Sequence, residues 1–405
     1  MKDEKKAPKL RFKGFTDDWE QCKLGDVCEE VSGNNGNVKG LPILTISAAN
    51  GWMNQKDRFS QVIAGNELKK YTLLKKGHLA YNHGNSKQAK YGTVFVQNLY
   101  DQALVPRVYH SFKMKTENNP YYVEYYFATK KLDRELARLV TSGARMDGLL
   151  NINKKDFFKI KFEVPTPVEQ SLISTILQKL DQTITLHEEK KRQLERLKSA
   201  LMQKMFADKS GYPAVRFYGF SDKWEKRKLG DIFEERIEKS HNGSEELLSV
   251  TLKDGVVKAE SLDRKNNASH DKRNYKLVFP NDIAYNSMRM WQGALGVSKY
   301  NGIVSPAYTI IKLKNQLENP CFYQNYFKKY EILNVFRKSS QGLTSDTWNL
   351  KYPLFSRIHL FTTSSAEQQN ISSLLTLLDY NIALHGYKLE LLKKIKKFLL
   401  QSMFI

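Results

Sequence analysis

The side chains best suited to chemistry sit in two short stretches, and the chemistry they suit is hydrogen bonding to base edges. Each stretch follows the same tripeptide. After Ala80-Tyr81-Asn82 the chain reads His83-Gly84-Asn85-Ser86-Lys87-Gln88-Ala89-Lys90, and after Ala284-Tyr285-Asn286 it reads Ser287-Met288-Arg289-Met290-Trp291-Gln292. In the major groove Arg or Lys matches guanine, and Asn or Gln matches adenine. Asn85, Lys87, Gln88 and Lys90 supply that set in the first stretch, Arg289 and Gln292 in the second. Any one of these cations can instead touch phosphate, since half or more of protein–DNA hydrogen bonds go to the backbone. Two later stretches, Thr141-Ser142-Gly143-Ala144-Arg145 and Arg337-Lys338-Ser339-Ser340-Gln341, are small, polar and basic. Arg145, Arg337 and Lys338 there suit phosphate positioning.

Signatures of catalysis are lacking in the sequence. Asn119-Pro120-Tyr121-Tyr122 superficially resembles the Asn/Asp-Pro-Pro-Tyr motif of adenine methyltransferases, but it lacks the second proline. Its repeat is Asn319-Pro320-Cys321-Phe322, and no Gly-rich cofactor loop accompanies either copy. A turn that opens a helix is the reading these residues favour. No phosphate-cradling GxxxxGK[ST] loop and no metal-type cluster of His, Cys and Asp is present, so neither a catalytic residue nor a metal ligand is assigned.

The elements that must position these loops occur twice. A turn motif at 8–26, with Pro8, Arg11, Phe12, Trp19 and Asp26, returns at 213–231 as Pro213, Arg216, Phe217, Trp224 and Asp231. Its tryptophans are expected to dock on a core. About 140 diverged residues follow each copy, with short Val-, Ile-, Tyr- and Phe-rich runs separated by Gly, Asn and Asp, which predicts strands and turns. There Gly92 matches Gly296 and Pro106 matches Pro306. An amphipathic helix then ends each half. Ile173, Leu177, Leu180, Ile184, Leu194, Leu201 and Met205 keep one face apolar, and Ile371, Leu375, Leu378, Ile382, Leu392, Leu399 and Met403 repeat them. About forty residues make roughly 60 Å of helix. Two such stripes bury each other most simply as an antiparallel pair. The expected organisation is a first recognition domain at 1–163, a spacer helix at 164–207, a second recognition domain at 208–363 and a spacer helix at 364–405. Since the first helix ends just before Pro213, the repeat places Phe404 beside the 8–26 motif. A rigid scaffold that carries different loops in its two copies is the pattern of a recognition platform.

Composition agrees with a nucleic-acid partner. The 405 residues carry a formal charge of +22, which points to a polyanion ahead of a membrane surface. No apolar run reaches the roughly 18 residues of a membrane span. The start, Met1-Lys2-Asp3-Glu4-Lys5-Lys6, has no apolar core of the kind a signal peptide needs. Three cysteines form no disulfide framework and no zinc spacing. A cytoplasmic, reduced protein is expected.

The chain resembles the specificity (S) subunit of Type I restriction–modification systems. The paired turn motifs, the Ala-Tyr-Asn loops and the two Glu-Gln-led helices (Glu169-Gln170 and Glu367-Gln368, with Leu-Asp at 180–181 and 378–379) carry the resemblance over residues 8–405. It implies an α+β fold: two α/β target recognition domains separated by a pair of long antiparallel helices, with a pseudo-twofold internal repeat. It further implies a non-catalytic subunit that reads an asymmetric, bipartite target on double-stranded DNA. Two modification subunits would methylate adenine with S-adenosylmethionine, and restriction subunits would use ATP and Mg for translocation and cleavage. This chain would bind none of these cofactors. The sequence departs from the family in one place, because the second helix lacks the proline that Pro167 supplies in the first. Docking of modification subunits is expected on repeated, exposed helix positions such as Glu169 and Glu367. Two other readings stay open at the level of sequence: an autonomous methyltransferase or nuclease with an unrecognised site, and a coiled-coil nucleic-acid-binding scaffold.

Overall fold

The two long helices span Pro167–Lys204 and Ser365–Ser402, 38 residues each, because equivalent residues start them. Thr166 and Ser364 stand one position before, and each hydroxyl oxygen accepts the backbone N–H of Glu169 or Glu367 at 3.4 Å. Such a cap satisfies an orphan donor of the first turn. The cap therefore suffices without the proline, and the second helix begins in register with the first. The computed structural model describes residues 7–33, 38, 40–58, 65–84, 86–115, 117–141, 149–262, 269, 271–345 and 347–405.

The chain forms two compact units, one of residues 1–187 with 387–405 and the other of residues 188–386. Each unit thus holds part of both long helices. In the first unit Asp181 pairs with Lys396 at 2.5 Å; in the second, Asp379 pairs with Lys198 at 2.5 Å. Early residues of one helix meet late residues of the other, so the two run antiparallel within each unit. Gly386 lies inside the second helix, with the Lys191 side chain 4.0 Å from where a Cβ would stand.

A four-stranded antiparallel sheet anchors each unit. In the first the order is Cys28–Glu30, His110–Met114, Leu79–Asn82, Thr93–Val96; in the second it is Phe233–Glu235, Tyr308–Leu313, Ile283–Asn286, Leu295–Val297. The Ala-Tyr-Asn tripeptides end the central strands, so the loops after them leave the sheet from a rigid position. Two-stranded pairs surround each sheet, among them Leu44–Ser47 with Gly51–Asn54 and Leu248–Thr251 with Gly255–Lys258. The Asn-Pro turns open helices: Asn119 accepts the Tyr121 N–H at 2.9 Å, and Asn319 accepts those of Cys321 and Phe322.

The helix ends close each core. Phe404 packs on Tyr122 at 5.4 Å in the buried cluster that holds Trp19, and the Leu10 N–H donates to the Ser402 carbonyl at 2.9 Å. In the second unit Phe206 stacks on Tyr326 at 4.8 Å beside Trp224, and the Val215 N–H donates to the Lys204 carbonyl at 3.0 Å. The end of the chain returns to its first motif, as the repeat requires.

Glu169 and Glu367 are not on an outer helix face. Both are fully buried, at 0% exposure. The Arg11 guanidinium grips Glu169 through two bonds of 2.7 and 2.8 Å, and Arg216 grips Glu367 through two of 2.6 and 2.8 Å. Trp224 adds its indole N–H to Glu367 at 3.2 Å, and the Thr363 hydroxyl donates to the same oxygen. A carboxylate in the first turn also meets the positive end of the helix dipole. These acids lock each turn motif onto a helix start, so they cannot serve as an exposed docking surface.

Two matches made on sequence also shift. The strand register pairs Tyr81 with Val94 and Tyr285 with Leu295, which aligns Gly92 with Gly293 rather than Gly296. Both are left-handed, at φ +82° and +89°, and a Cβ on Gly92 would lie 2.6 Å from the Asn82 carbonyl. The Tyr109 N–H bonds the Pro106 carbonyl and the Tyr308 N–H bonds that of Ser305, which puts Pro306 at the place of Arg107.

Candidate nucleic-acid interface

The loop of the second unit is built from the strand end outward. The Asn286 Oδ1 accepts the Met288 N–H at 3.0 Å and the Ser287 Oγ lies 2.7 Å from Thr309 Oγ1. A single helical turn, Met290–Gln292, follows and is stopped by left-handed Gly293. Met290 is buried, so the turn has a fixed inner face and presents Arg289 and Gln292, both exposed, on its outer one. The Trp291 N–H donates to the Met288 carbonyl at 3.1 Å, and its ring meets Trp348 edge to face at 5.2 Å. The Leu350 N–H donates to the Ser287 carbonyl at 2.8 Å and the Asn349 N–H to the Gln341 carbonyl at 2.7 Å, so the second basic stretch is tied to the first.

Arg289 and Gln292 line one concavity of about 830 Å³, together with Thr251, Asn286, Trp291 and Tyr308. It offers donors, acceptors and an aromatic face side by side, which is what reading a base edge requires. Arg337 and Lys338 are exposed in the last turn of the helix Tyr330–Ser339, which packs against the Met290–Gln292 turn without lining this concavity. Cations in a last helical turn are favoured by the helix dipole.

The first unit ties the described residues that flank its loops in the same way. The Leu150 N–H donates to the His83 carbonyl at 2.9 Å, while the His83 ring bridges the Leu150 and Val108 carbonyls at 2.5 and 2.7 Å. Lys87, Gln88 and Lys90 are exposed. The Lys90 ammonium sits 5.4 Å from the Tyr91 ring centre. Gln88 lines a smaller concavity of about 270 Å³ with Glu124, Tyr125, Lys130, Asp181 and Lys396. Asn85 and Arg145 lie outside the described residues. Burial raises the Glu124 carboxyl to about 7, opposed by the Val96 N–H it accepts at 2.6 Å. Burial likewise pushes His110 down to about 4, with His83 and Lys154 adding to the effect.

Thr251 and Tyr308 carry no local motif that a sequence would reveal. They come from other strands, and only the fold brings them to Arg289. Among the described residues no group of three His, Cys, Asp or Glu is placed to hold a metal ion. No helix there is long and apolar enough to cross a membrane.

The family model of the Type I restriction modification DNA specificity domain matches residues 16–196. No curated protein matches the chain in sequence. Among solved structures, the S subunit of a Type-I restriction-modification system from M. genitalium is similar at 14% identity and a TM-score of 0.61, over 98% of this chain and 99% of that one. The HsdS subunit from Thermoanaerobacter tengcongensis is similar at 12% identity and a TM-score of 0.43, over 95% of this chain and 96% of that one. The first of these two likenesses shows a shared α+β fold along nearly the full length of both chains.

Proposed function

We infer, from a Type I restriction modification DNA specificity domain over residues 16–196 whose architecture the second unit repeats, that this chain is the DNA sequence-recognition subunit of a Type I restriction–modification system. It chooses the DNA and leaves the chemistry to partners. The observation that carries this reading is one scaffold, built twice, with different loops at the same strand end. Each unit reads one half of a split duplex target: the first through the stretch 85–90, the second through Arg289 and Gln292. Arg145, Arg337 and Lys338 steady the backbone.

Modification subunits that hold S-adenosylmethionine dock on this chain, and restriction subunits that use ATP and Mg complete the complex. With Glu169 and Glu367 buried, docking falls to the exposed apolar face of the second helix. In the first unit that face carries Tyr387, Leu391, Ile395 and Phe398, spaced four, four and three residues apart. Their repeat counterparts in the second unit are Glu189, Gln193, Leu197 and Ala200. Methylome sequencing of a host that expresses the chain with a modification subunit tests the function. The expected result is adenine methylation at a target with two different halves and a fixed gap. Methylation at one short continuous site, or none that depends on this chain, would end the reading.

A further inference from the structure

The first unit holds a second concavity of about 310 Å³, lined by Glu30, Ser32, Lys69, Thr72, Arg107 and Lys154 among others. It lies near the described residues at the roots of both loops. Arg107 precedes Val108, whose carbonyl meets His83 at the root of the first loop. Lys154 follows closely on Asn151, whose carbonyl accepts the Thr141 N–H at the root of the second.

Its charge is unbalanced. Glu30 is taken by Lys154 at 2.8 Å, while the exposed Arg107 and Lys69 side chains have no partner among the described residues. The hydroxyls of Ser32 and Thr72 add neutral donors. Cations and hydroxyls around a small opening make an anion site, and Arg in particular matches the fork of phosphate oxygens.

The second unit closes the same place. Lys276, paired with Val304 as Thr72 is with Val105, donates to the Tyr308 carbonyl at 2.9 Å and reaches Glu235, the counterpart of Glu30, at 3.5 Å. Pro306 stands at the position of Arg107. Tyr352 stands at that of Lys154 and donates its hydroxyl to the Phe233 carbonyl at 2.7 Å. The cations of the first unit are therefore not a requirement of the scaffold.

We propose that Arg107 and Lys69 bind a phosphate of the DNA backbone beside the first half-site, with Lys154 held on Glu30 at its edge, fixing that unit's loops in register without reading a base. This rests on the DNA-recognition reading. The salt dependence of duplex binding tests it, measured on the full chain with its modification subunit for wild type, Arg107→Ala, Arg107→Lys and Lys69→Ala. Loss of one phosphate contact should lower the slope of log affinity against log salt by about 0.9. Arg107→Ala and Lys69→Ala should do so evenly across variants of the first half-site, with melting temperature unchanged, while Arg107→Lys keeps most of the slope. An unchanged slope overturns the proposal, and so does a changed preference within the first half-site. A parallel titration with inorganic phosphate separates the sources. If phosphate raises the melting temperature of wild type but not of Arg107→Ala while the duplex slope is the same for both, the occupant is a free anion and the DNA contact is refuted. Wild type that binds no duplex at all would instead sink the recognition reading, and this site with it.

Discussion

His83 and His110 in the first unit stand where Ser287 and Thr309 stand in the second, and the two pairs fasten a loop to a sheet by different means. In the first the rings stack with centres 5.1 Å apart, and His110 adds a bond to the Ile152 carbonyl at 3.2 Å. In the second, two hydroxyls bond at 2.7 Å. On the helix that the Asn-Pro turn opens in each core, the contrast recurs. Glu124 accepts the Val96 N–H at 2.6 Å, and Gln324 accepts the Val297 N–H at 2.6 Å. The geometry is the same and the charge is not. The scaffold tolerates either chemistry where shape is kept, and the first unit is the one that places titratable groups at these positions.

The largest effects should come where the units agree, at the buried arginine–glutamate pairs. Removing one partner leaves a charge buried without compensation, at a cost of about 3–5 kcal/mol. The units differ in what remains. Without Arg216, the Glu367 carboxylate keeps Trp224 and Thr363; the Glu169 carboxylate has only Arg11 as a donor among the described residues. Arg11→Ala should therefore destabilise more than Arg216→Ala, read by urea unfolding with hydrogen exchange followed in each unit. A cost under about 1 kcal/mol for both would show that the pairs are dispensable.

The next contrast is pH. Glu124 is raised from 4.5 to about 7, so the folded state holds its proton more tightly and stability falls as pH rises through that window. His110 is lowered from 6.5 to about 4, so the unfolded state binds the proton more tightly and stability falls as pH drops through its window. Between pH 4.5 and 6.5 the two slopes oppose each other. Glu124→Gln copies the second unit and removes one of them. At about pH 8 it should stabilise the first unit by up to about 3 kcal/mol, because a tenfold difference in proton affinity between folded and unfolded states is worth about 1.4 kcal/mol. From pH 4.5 to 6.5 its stability should rise with pH where that of wild type is flat. A variant that tracks wild type at every pH would show that Glu124 titrates normally.

A smaller difference separates the tryptophans. Trp224 donates to Glu367, whereas the buried Trp19 N–H has no hydrogen-bond partner among the described residues. A bond to a charged acceptor contributes about 1.5–3 kcal/mol, whereas a buried donor left unpaired is a cost. Trp224→Phe should cost more than Trp19→Phe by at least the low end of that range. Equal melting temperatures for the two variants would mean the indole bond adds no net stability.

Much of this architecture is legible in the sequence because repetition is visible without a structure. The two helices, the turn motifs and the return of Phe404 to Trp19 follow from matched apolar spacing. Where the copies differ in loop length, the matching slips: three more residues separate Tyr81 from Gly92 than Tyr285 from Gly293, which misplaces Gly296. Glu169 and Glu367 look exposed in sequence because an acid on a helix normally faces water, and nothing local marks Arg11 or Arg216 as partners more than 150 residues away. The loops are found through their side-chain types. Thr251, Tyr308, Lys69 and Arg107 are not, since only the fold, through strand ends, a helical turn and a loop, brings them to the candidate sites.

The comparison bears most directly on recognition, where the units must differ. Arg289 is exposed at the start of a turn whose inner residue, Met290, is buried, so its backbone is fixed while its guanidinium is free to reach outward. A bidentate contact to guanine there would be worth about 1–3 kcal/mol of discrimination. Arg289→Ala should then relax one base of the second half-site and leave the first half-site as it was, because Lys87, Gln88 and Lys90 belong to the other unit. Were the contact to a phosphate, affinity would fall evenly for every sequence and the salt slope would drop by about one. Binding to a panel of duplexes varied at each target position separates the two outcomes. Loss of selectivity in both halves at once would contradict modular reading altogether, since it would require one unit's loop to set the other's preference.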